Sequence, residues 1–516
     1  MNVWKRHCAN RCAIPLAVGA LLLFTGSMAF AGSFAIKVSN LTLGLTVLYP
    51  GQSTTLSYTL AGAGANVAGG IANVKIDFLS GSTSVKTLTI PGGSIGATPG
   101  ANTVTLNAAD IPAGGPYAIR VTATGGSVTA TGYIPVSNPN DPNMQFNSPR
   151  GIDINRITGS PNKGRIYVTE GAGGSLANRT TVDGVYILNP DLTPAFATPK
   201  VTSADIGALG PWAASANSPF RPSVTPDGSI LITDASDPHC ALFAADANGD
   251  NPKAFFAYPY PVGGSRDNNL VYDSLNTPLY GSVSNAIVEG TGTSRVVYTS
   301  DEDLAPGNSL HKYAIGTGTQ DLAIVPTGVT SFSGVNWYED FARDSAGNFY
   351  LVSDATDDAN KLDANGNLVA TLPSTGTLYM GICIDEARDM ILIGGENGTV
   401  YQTNKAFTTV TPLFTGLGSL VRDVAIDPEG WVYAVDSTDA TLHVWAPAGT
   451  YAIPNGAADG SQTLTIVASP VPGDVSPIGP TGLFVGPNGK RYGDAKVTVQ
   501  DAVEVLRIAA GLEMGP

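Results

Sequence analysis

Six acidic residues follow apolar runs of similar composition, and they form the most regular set of chemically active side chains in the sequence. They are Glu170, Asp234, Asp301, Asp354, Glu396 and Asp436. Carboxylates that meet on one face of a protein can hold calcium or bind sugar hydroxyls. Acids at strand ends can equally accept hydrogen bonds from backbone N–H groups in turns. The sequence favours this capping role, because acids at repeated positions occur in many proteins without catalytic activity.

Other catalytic arrangements find little support in the sequence. His239, His311 and His443 are widely separated and lack the spacing of a zinc motif. Residues 246–250 and 363–367 resemble the start of a calcium loop, but both contain Asn-Gly and lack the closing Glu. We therefore predict two hairpin turns. These patterns favour a non-catalytic protein, with hydrolysis as the alternative.

The acids belong to a repeated pattern of short strands. A turn followed by an apolar strand recurs, for example at 227–234, 347–354 and 430–436. A second signature lies about 15 to 20 residues before several of these strands, at 149–154, 220–224 and 421–427. Repeats of roughly 40 to 65 residues with three or four strands each are typical of propeller blades. We count about six such units.

The repeated units also resemble a known group of proteins. Residues 427–436 read Asp-Pro-Glu-Gly-Trp-Val-Tyr-Ala-Val-Asp, which is similar to the repeats of NHL and six-bladed SGL-like propellers. The resemblance implies a β-propeller over residues 144–470. It also implies an alternative function, because lactonases of this kind use a calcium ion in the central channel. That alternative is a calcium-dependent propeller hydrolase or lactonase.

The first 31 residues have the three parts of a cleavable secretory signal peptide. Lys5 and Arg6 precede an apolar run at 14–24, and Ala29-Phe30-Ala31 forms a cleavage signal. The apolar run is shorter than the roughly 20 residues needed to cross a bilayer. We therefore predict a secreted protein, attached to the cell surface or free, that does not span the membrane.

Residues 32–140 alternate apolar and polar positions between turn signals, as in Tyr117-Ala118-Ile119-Arg120-Val121. This period of two, with frequent turns, predicts a β-sandwich. The segment resembles bacterial immunoglobulin-like modules. The formal net charge of −15 argues against nucleic-acid binding, because phosphate backbones would be repelled.

The C-terminal residues 473–516 combine acidic loops with a helix-forming segment at 501–512. Gly473-Asp474-Val475 and the run Gly-Asp-Ala-Lys-Val-Thr-Val-Gln-Asp-Ala at 493–502 resemble one type I dockerin repeat. The resemblance implies calcium ligands at Asp474, Asp494, Lys496 (through its carbonyl) and Asp501. It also implies a cohesin-like or cell-surface protein as partner, and a connection with extracellular polysaccharide degradation.

The tail departs from the dockerin pattern in three ways. Residues 476–492 interrupt the loop, Ala495 replaces the usual glycine, and one repeat is visible instead of two. A plain helix with Asp501 as its N-cap is the alternative, because Asp at a helix start is favourable without metal.

Two further groups of residues have two interpretations each. Cys240 and Cys383 can form one disulfide, although the apolar surroundings of Cys383 favour a buried thiol. A group of aromatic residues can stack on sugars or lie in the core. The aromatics are Trp212, Phe220, Phe255, Phe256, Tyr258, Tyr260, Trp337 and Tyr338.

The predicted protein is therefore mainly all-β, with an immunoglobulin-like sandwich, a propeller of about six blades and a small helical dockerin-like module. We predict a secreted, non-catalytic binding or scaffold protein, with polysaccharide as a candidate ligand. The alternatives are a calcium-dependent propeller hydrolase or lactonase and a structural component of the cell surface.

Overall fold

The computed structural model describes most of the chain between the predicted leader and the predicted tail. The described residues are 32–206, 212, 218–236, 239–255, 283–291, 294–301, 310–315, 326–332, 338–468, 484–485 and 491–492. The predicted signal peptide lies outside them. So do the four predicted calcium ligands Asp474, Asp494, Lys496 and Asp501.

The N-terminal part consists of two sheets around a common core. Its strands are β1 (Lys37–Leu43), β2 (Val47–Leu48), β3 (Ser53–Ala61), β4 (Ile71–Ser80), β5 (Thr83–Pro91), β6 (Gly100–Asn107), β7 (Gly114–Gly125), β8 (Ser127–Ala130) and β9 (Ile134–Pro135). A short helix, α1 (Ala63–Asn66), and 3-10 turns at Ala108–Asp110 and Pro142–Met144 connect them. Inward residues such as Leu56, Ile76 and Val121 are buried and alternate with exposed polar residues, as expected for a sheet covered on one face.

Among the described residues, six antiparallel sheets follow, built mainly from strands that are neighbours along the chain, as in a β-propeller. The first blade contains β10 (Pro149–Ile154), β11 (Ile166–Glu170) and β14 (Gly184–Leu188). The second contains β15 (Pro222–Val224), β16 (Ile230–Ser236), β17 (His239–Ala245) and β18 (Lys253–Ala254). The third contains β19 (Val283–Glu289), β20 (Val296–Asp301), β21 (Leu310–Ile315) and β22 (Pro326–Ser331). A small hairpin, β12 (Gly174–Ser175) with β13 (Thr180–Thr181), projects from the first blade.

The next three blades are shorter and more regular. The fourth blade contains β23 (Asp340–Arg343), β24 (Phe349–Val352), β25 (Ala359–Leu362) and β26 (Leu368–Thr371). The fifth contains β27 (Tyr379–Asp385), β28 (Met390–Gly395), β29 (Val400–Thr403) and β30 (Thr411–Phe414). The sixth contains β31 (Val421–Ile426), β32 (Val432–Asp436) and β33 (Thr441–Ala446). The remaining strands are β34 (Gly449–Ala452), β35 (Gly456–Ile466), β36 (Phe484–Val485) and β37 (Arg491–Tyr492).

Aspartate-glycine turns connect the first two strands of the fourth and sixth blades. Asp344 accepts a hydrogen bond from the N–H of Asn348, and Asp427 accepts one from the N–H of Trp431, both at 2.8 Å. Gly347 and Gly430 have φ angles of 89° and 92°, a conformation that side chains with a Cβ rarely adopt. The repeated Asp-x-x-Gly pattern therefore sets where each hairpin reverses.

The propeller ring is closed by a strand from the N-terminal part. β9 pairs with β33 and supplies the fourth strand of the sixth blade. The chain then returns to the sandwich, where β34 pairs with β8 and β35 pairs with both β7 and β2. The chain thus leaves the propeller earlier than the predicted boundary at residue 470.

The sandwich and the propeller share one hydrophobic core. The cluster that contains Leu56 and Val121 of the sandwich continues to Ile152 in the first blade and Trp431 in the sixth. Phe34 joins the two parts, since its ring lies 4.9 Å from that of Trp431 in an edge-on arrangement. The propeller is therefore an insertion within the sandwich and packs directly against it. In the described part of the chain, no helix has the length and apolar character needed to cross a membrane.

The return of β35 predicts that a C-terminal residue stabilises the N-terminal sandwich. Leu464 is fully buried in the shared core, whereas its neighbour Thr463 is exposed. Leu464→Ala should lower the free energy of unfolding by about 3 kcal/mol, because it leaves a cavity. Thr463→Ala should change it by less than about 0.5 kcal/mol. Urea unfolding followed by circular dichroism measures both; equal effects of the two substitutions would contradict the assignment.

Candidate functional site

The first strand of each blade lines a central channel. In four of these strands the pairing register shifts at the same level, where one residue bulges out of the ladder. The bulged residues are Arg150, Ser284, Met380 and Arg422. A bulge bends the strand and redirects backbone groups. At this level several carbonyl groups turn toward the channel axis.

Arg221 extends from the second blade across the axis. Its Nη1 donates to the carbonyl oxygens of Ser284 (3.2 Å) and Glu339 (2.8 Å). Its Nη2 donates to the carbonyl oxygens of Met380 (2.6 Å) and Arg422 (3.1 Å). Only 2% of the Arg221 side chain is exposed. One guanidinium therefore connects the inner strands of the third, fourth, fifth and sixth blades.

Three buried carboxylates surround the same guanidinium. The Oδ2 atoms of Asp340 and Asp423 both lie 3.6 Å from Nε of Arg221, and Oε1 of Glu339 lies 3.4 Å from Nη2. All three acids are less than 5% exposed. Buried charges are costly unless they are paired and hydrogen-bonded. The arginine and the acids therefore stabilise one another, because loss of either would leave the other as an unpaired charge in an apolar interior.

The channel aspartates also tie neighbouring blades together. Each accepts a hydrogen bond from a backbone N–H on the next inner strand around the ring. The bonds run from Ile152 N to Asp423, from Ile382 N to Asp340 and from Val224 N to Asp153, at 2.8, 2.8 and 2.7 Å. Because charged hydrogen bonds are stronger than neutral ones, these contacts fix the spacing between blades.

Burial dominates the electrostatics of the aspartate pair. It raises the pKa of Asp340 to about 6 and the pKa of Asp423 well above its usual range, while the charge of Arg221 opposes the rise. The charge of Asp340 also raises the pKa of Asp423, and the charge of Glu339 raises that of Asp340, whereas hydrogen bonds from Phe341 and Ile382 favour the ionised form of Asp340.

A cavity of about 250 Å³ lies along the channel beside the Arg221 guanidinium. All six inner strands contribute to its wall, and the lining includes Asp153, Arg156, Asn285 and Cys383. Arg156 forms an ion pair with Asp153 at 2.5 Å. Cys383 is a buried free thiol, as the sequence predicted, and burial raises its pKa. A thiol in that state is a poor nucleophile.

A second group of charges lies beside Glu339. Nη1 of Arg422 is 3.8 Å from Oε1 of Glu339, and the Arg422 side chain is 20% exposed. Burial and the charge of Glu339 raise the pKa of half-buried Asp354 to about 6, while Arg422 opposes the rise. This mouth cluster of Arg422, Glu339 and Asp354 combines cationic donors with carboxylate acceptors, which suits ligands that carry hydroxyl groups.

The acids that the sequence singled out at strand ends do not form one ring. Glu170 is fully buried and accepts backbone N–H bonds from Asn147 (2.7 Å) and Ser148 (2.6 Å). Asp436 accepts one from Thr438 at 2.7 Å. These contacts confirm the capping role at both positions. Of the others, Asp234 accepts from the hydroxyl of Ser218, Glu396 is exposed, Asp354 belongs to the mouth cluster, and the side chain of Asp301 lies outside the described residues.

Both predicted hairpin turns are confirmed. Asp246 accepts hydrogen bonds from the N–H groups of Asn248 and Asp250, and Asp363 makes the same contacts with Asn365 and Asn367, at 2.8 to 3.0 Å. The strands that flank each turn pair in an antiparallel manner. Neither acid is available as a metal ligand in an open loop.

The aromatic group resolves into core positions where the structure describes it. Trp212, Phe220, Phe255 and Tyr338 are all less than 10% exposed. The indole N–H of Trp212 donates to the carbonyl of Val201 at 2.9 Å. The sugar-stacking interpretation has no support from these four residues. Phe256, Tyr258, Tyr260 and Trp337 lie outside the described residues.

Metal-binding chemistry has limited support within the described part of the chain. No group of three or more His, Cys, Asp or Glu side chains there has the geometry to hold a metal ion. His311 is buried and His443 pairs with Asp439 at 2.7 Å, so these histidines do not converge. At the channel axis, the carboxylates that could face a cation already contact Arg221.

The sequence marks three segments of this site as parts of a repeat but predicts no role for their residues. The signatures at 149–154, 220–224 and 421–427 were recognised as repeat markers, and the arginine in each was the available signal. Asp423 lies within the third of these signatures, whereas Glu339 and Asp340 belong to none of them. What distinguishes Arg221 is its position on the axis, which depends on how six blades pack.

Comparisons with known proteins give distant similarities. No family model matches the chain, and no curated protein matches it. A Bacteroides thetaiotaomicron structural-genomics protein of unknown function is 12% identical, with a TM-score of 0.36, over 81% of this chain and 98% of its own. A protein provisionally named a gluconolactonase is 12% identical, with a TM-score of 0.37, over 62% and 93%. These values are too low to support a functional assignment.

Buried acids predict an unusual dependence of stability on pH. Burial raises the pKa of Glu170 to about 7 and those of Asp354 and Asp427 to about 6. Each value lies above that of the unfolded chain, near 4, so the native state binds more protons between about pH 4 and pH 7. The free energy of unfolding should therefore fall as the pH rises through this window. Urea unfolding at about pH 5, 6 and 7.5 measures the trend.

Glu170→Gln tests the cause of that trend. The substitution removes the group whose pKa is raised furthest among these three, so the dependence of stability on pH should become shallower than in the unmodified protein. An unchanged slope in the variant would contradict burial of Glu170 as a source, and a wild-type stability that rises with pH over this range would contradict the whole account.

Proposed function

We propose that the protein is a secreted, non-catalytic binding protein. In this proposal the propeller presents a surface to a polysaccharide, and the C-terminal segment attaches the protein to a cohesin-like or cell-surface partner in a calcium-dependent manner. Secretion rests on the features of residues 1–31, and attachment rests on the dockerin-like residues 473–516.

The contacts that the channel carboxylates already make within the protein support the non-catalytic role. Asp340 accepts hydrogen bonds from the N–H groups of Phe341 and Ile382, and Asp423 accepts them from Val424 and Ile152. Both also contact the buried guanidinium of Arg221. A general acid or base needs a proton-transfer partner within reach of the substrate. These acids instead bond to the ring itself.

The mouth cluster supports a polar ligand on one face of the propeller. The Arg422 side chain is 20% exposed, and its Nη1 lies 3.8 Å from Oε1 of Glu339, beyond hydrogen-bond distance. Arg422 therefore retains donors for a ligand, while Asp354 supplies an acceptor beside it. Paired donors and acceptors of this kind match vicinal hydroxyl groups of a sugar.

A calcium-dependent propeller hydrolase or lactonase is the second candidate. The observation that favours it is the cavity of about 250 Å³, whose wall includes two buried carboxyls with raised pKa values, Asp340 and Asp423. Perturbed carboxyls in a cavity are a recognised feature of active sites, although structural ion pairs shift pKa values in the same way.

Calcium analysis of the chain from residue 32 to residue 516 tests the proposal. Isothermal titration should detect calcium binding that is lost in the triple variant Asp474→Ala, Asp494→Ala, Asp501→Ala, because three carboxylate ligands are removed. Lys496 is left unchanged, since its carbonyl would be the ligand. Neither protein should hydrolyse lactones faster than buffer does.

The control is a triple variant that removes the same charge from exposed positions elsewhere, Asp110→Ala, Asp205→Ala, Asp358→Ala. It should retain full calcium binding. Lactone hydrolysis that requires calcium and persists in the tail variant would overturn the proposal in favour of a hydrolase. Calcium binding that is unaffected by the tail substitutions would overturn the attachment mechanism.

Arg422→Ala tests the mouth cluster by affinity electrophoresis in gels that contain soluble polysaccharides. We expect the unmodified protein to be retarded by at least one polysaccharide, and the variant to lose most of that retardation because its charged donors are gone. Arg388→Ala, which removes a guanidinium that already pairs with Asp385, should behave like the unmodified protein. Equal retardation of the Arg422 variant would exclude this cluster as the ligand site.

A further inference from the structure

The position of the Arg221 guanidinium has the properties of a cation-binding site. Four backbone carbonyl oxygens and three carboxylates converge there from the third to the sixth blades. Oxygen atoms that carry full or partial negative charge repel one another in a buried environment, unless a cation lies between them. The chain supplies this cation from the second blade.

The oxygens match the shape of a guanidinium group. Nη1 faces two carbonyls at 2.8 and 3.2 Å, and Nη2 faces two carbonyls at 2.6 and 3.1 Å. Nε lies between two carboxylates, each at 3.6 Å. A guanidinium has five N–H donors fixed in one plane. Here Nη1 and Nε each have two oxygen neighbours, and Nη2 has a third, Oε1 of Glu339 at 3.4 Å.

A calcium ion fits the same position less well. Calcium binds oxygen at about 2.3 to 2.6 Å, whereas these oxygens surround the outer edge of a much larger planar group. They would have to move inward to reach a single ion at its centre. The bulged carbonyls of Ser284, Met380 and Arg422 belong to strands held in the ladders of three separate blades, so such a movement would distort all three sheets.

We propose that the propeller axis is a guanidinium-binding site that Arg221 fills from within the chain. When that side chain is shortened, the vacated position takes up a free guanidinium ion, and the ion restores the contacts between blades. This inference concerns the ring itself and stands independently of the proposed function.

The experiment uses the chain from residue 32 to residue 516 with Arg221→Ala. Loss of the buried cation should lower the Tm by about 10 °C. Guanidinium chloride at about 10 mM, far below the molar concentrations that unfold proteins, should recover at least about half of that loss in a saturable manner. The same concentration should leave the Tm of the unmodified protein unchanged. Sodium chloride, urea and calcium chloride are tested in parallel.

Two variants serve as controls. Arg179→Ala removes a half-buried guanidinium that donates to the carbonyls of Pro142 and Gln145 outside the channel. Its loss of stability should not respond to guanidinium, because no closed ring of oxygens remains. Arg221→Lys keeps a charge on the axis but lacks the planar fork. It should be less stable than the unmodified protein and should not respond either, since its ammonium group occupies the position.

Each outcome decides the proposal. Recovery of Arg221→Ala by guanidinium, with no recovery by sodium or urea, supports it. Recovery by calcium that equals or exceeds that by guanidinium overturns it in favour of a divalent-cation site. Absence of recovery by any additive also overturns it. If Arg221→Ala does not accumulate as a soluble protein, its refolding yield from urea is measured with and without guanidinium chloride. A yield that does not rise with guanidinium also overturns the proposal.

Discussion

One buried positive charge balances the oxygen atoms that the inner strands of the propeller direct toward its axis. The inner edge of every blade has backbone groups without a partner strand, and bulges at Ser284, Met380 and Arg422 turn carbonyls into the channel. Arg221 donates hydrogen bonds to these carbonyls, and Asp340 and Asp423 offset its charge. Neither the arginine nor the acids would be tolerable there alone, because an unpaired buried charge costs several kcal/mol. The arrangement of the remaining blades follows from this mutual dependence.

Ring closure adds a second constraint that couples the two parts of the molecule. A propeller must join its last blade to its first, and here β9 from the sandwich side completes the sixth blade. The chain then pairs β35 with β7 across more than 300 intervening residues. Phe34 and Trp431 extend the core across the boundary. A sandwich made only of residues before the propeller would lack β35, and β7 would become an edge strand with unpaired backbone groups. The two parts therefore depend on each other for a complete core.

The sequence predicted the local elements well and the long-range contacts poorly. Apolar runs such as those ending at Asp354 and Asp436, with Asp-x-x-Gly turns before them, are signals contained within ten residues, and the structure has strands there. The return of 456–466 to the sandwich had no comparable signal, because the segment is rich in Ala, Gly and Thr and its partner lies far away in sequence. Arg221 was equally hard to recognise. Arg150 and Arg422 occupy matching places in their own repeats, and only the packing of all six blades decides which arginine reaches the axis.

Acids in repeated positions illustrate why residue type alone does not define a catalytic centre. Glu170 and Asp436 have the chemistry of metal ligands, yet their oxygens accept backbone N–H bonds. Asp340 and Asp423 have the raised pKa values typical of active sites, yet these values arise from burial beside a structural cation. The guanidinium of Arg221 lies beside the channel cavity and contacts Glu339. Cys383 lines the cavity on one side, while Arg422 and Asp354 are placed beside Glu339 at the mouth. In each case the contacts that the carboxylate makes, and not its residue type or its raised pKa alone, decide what the side chain does.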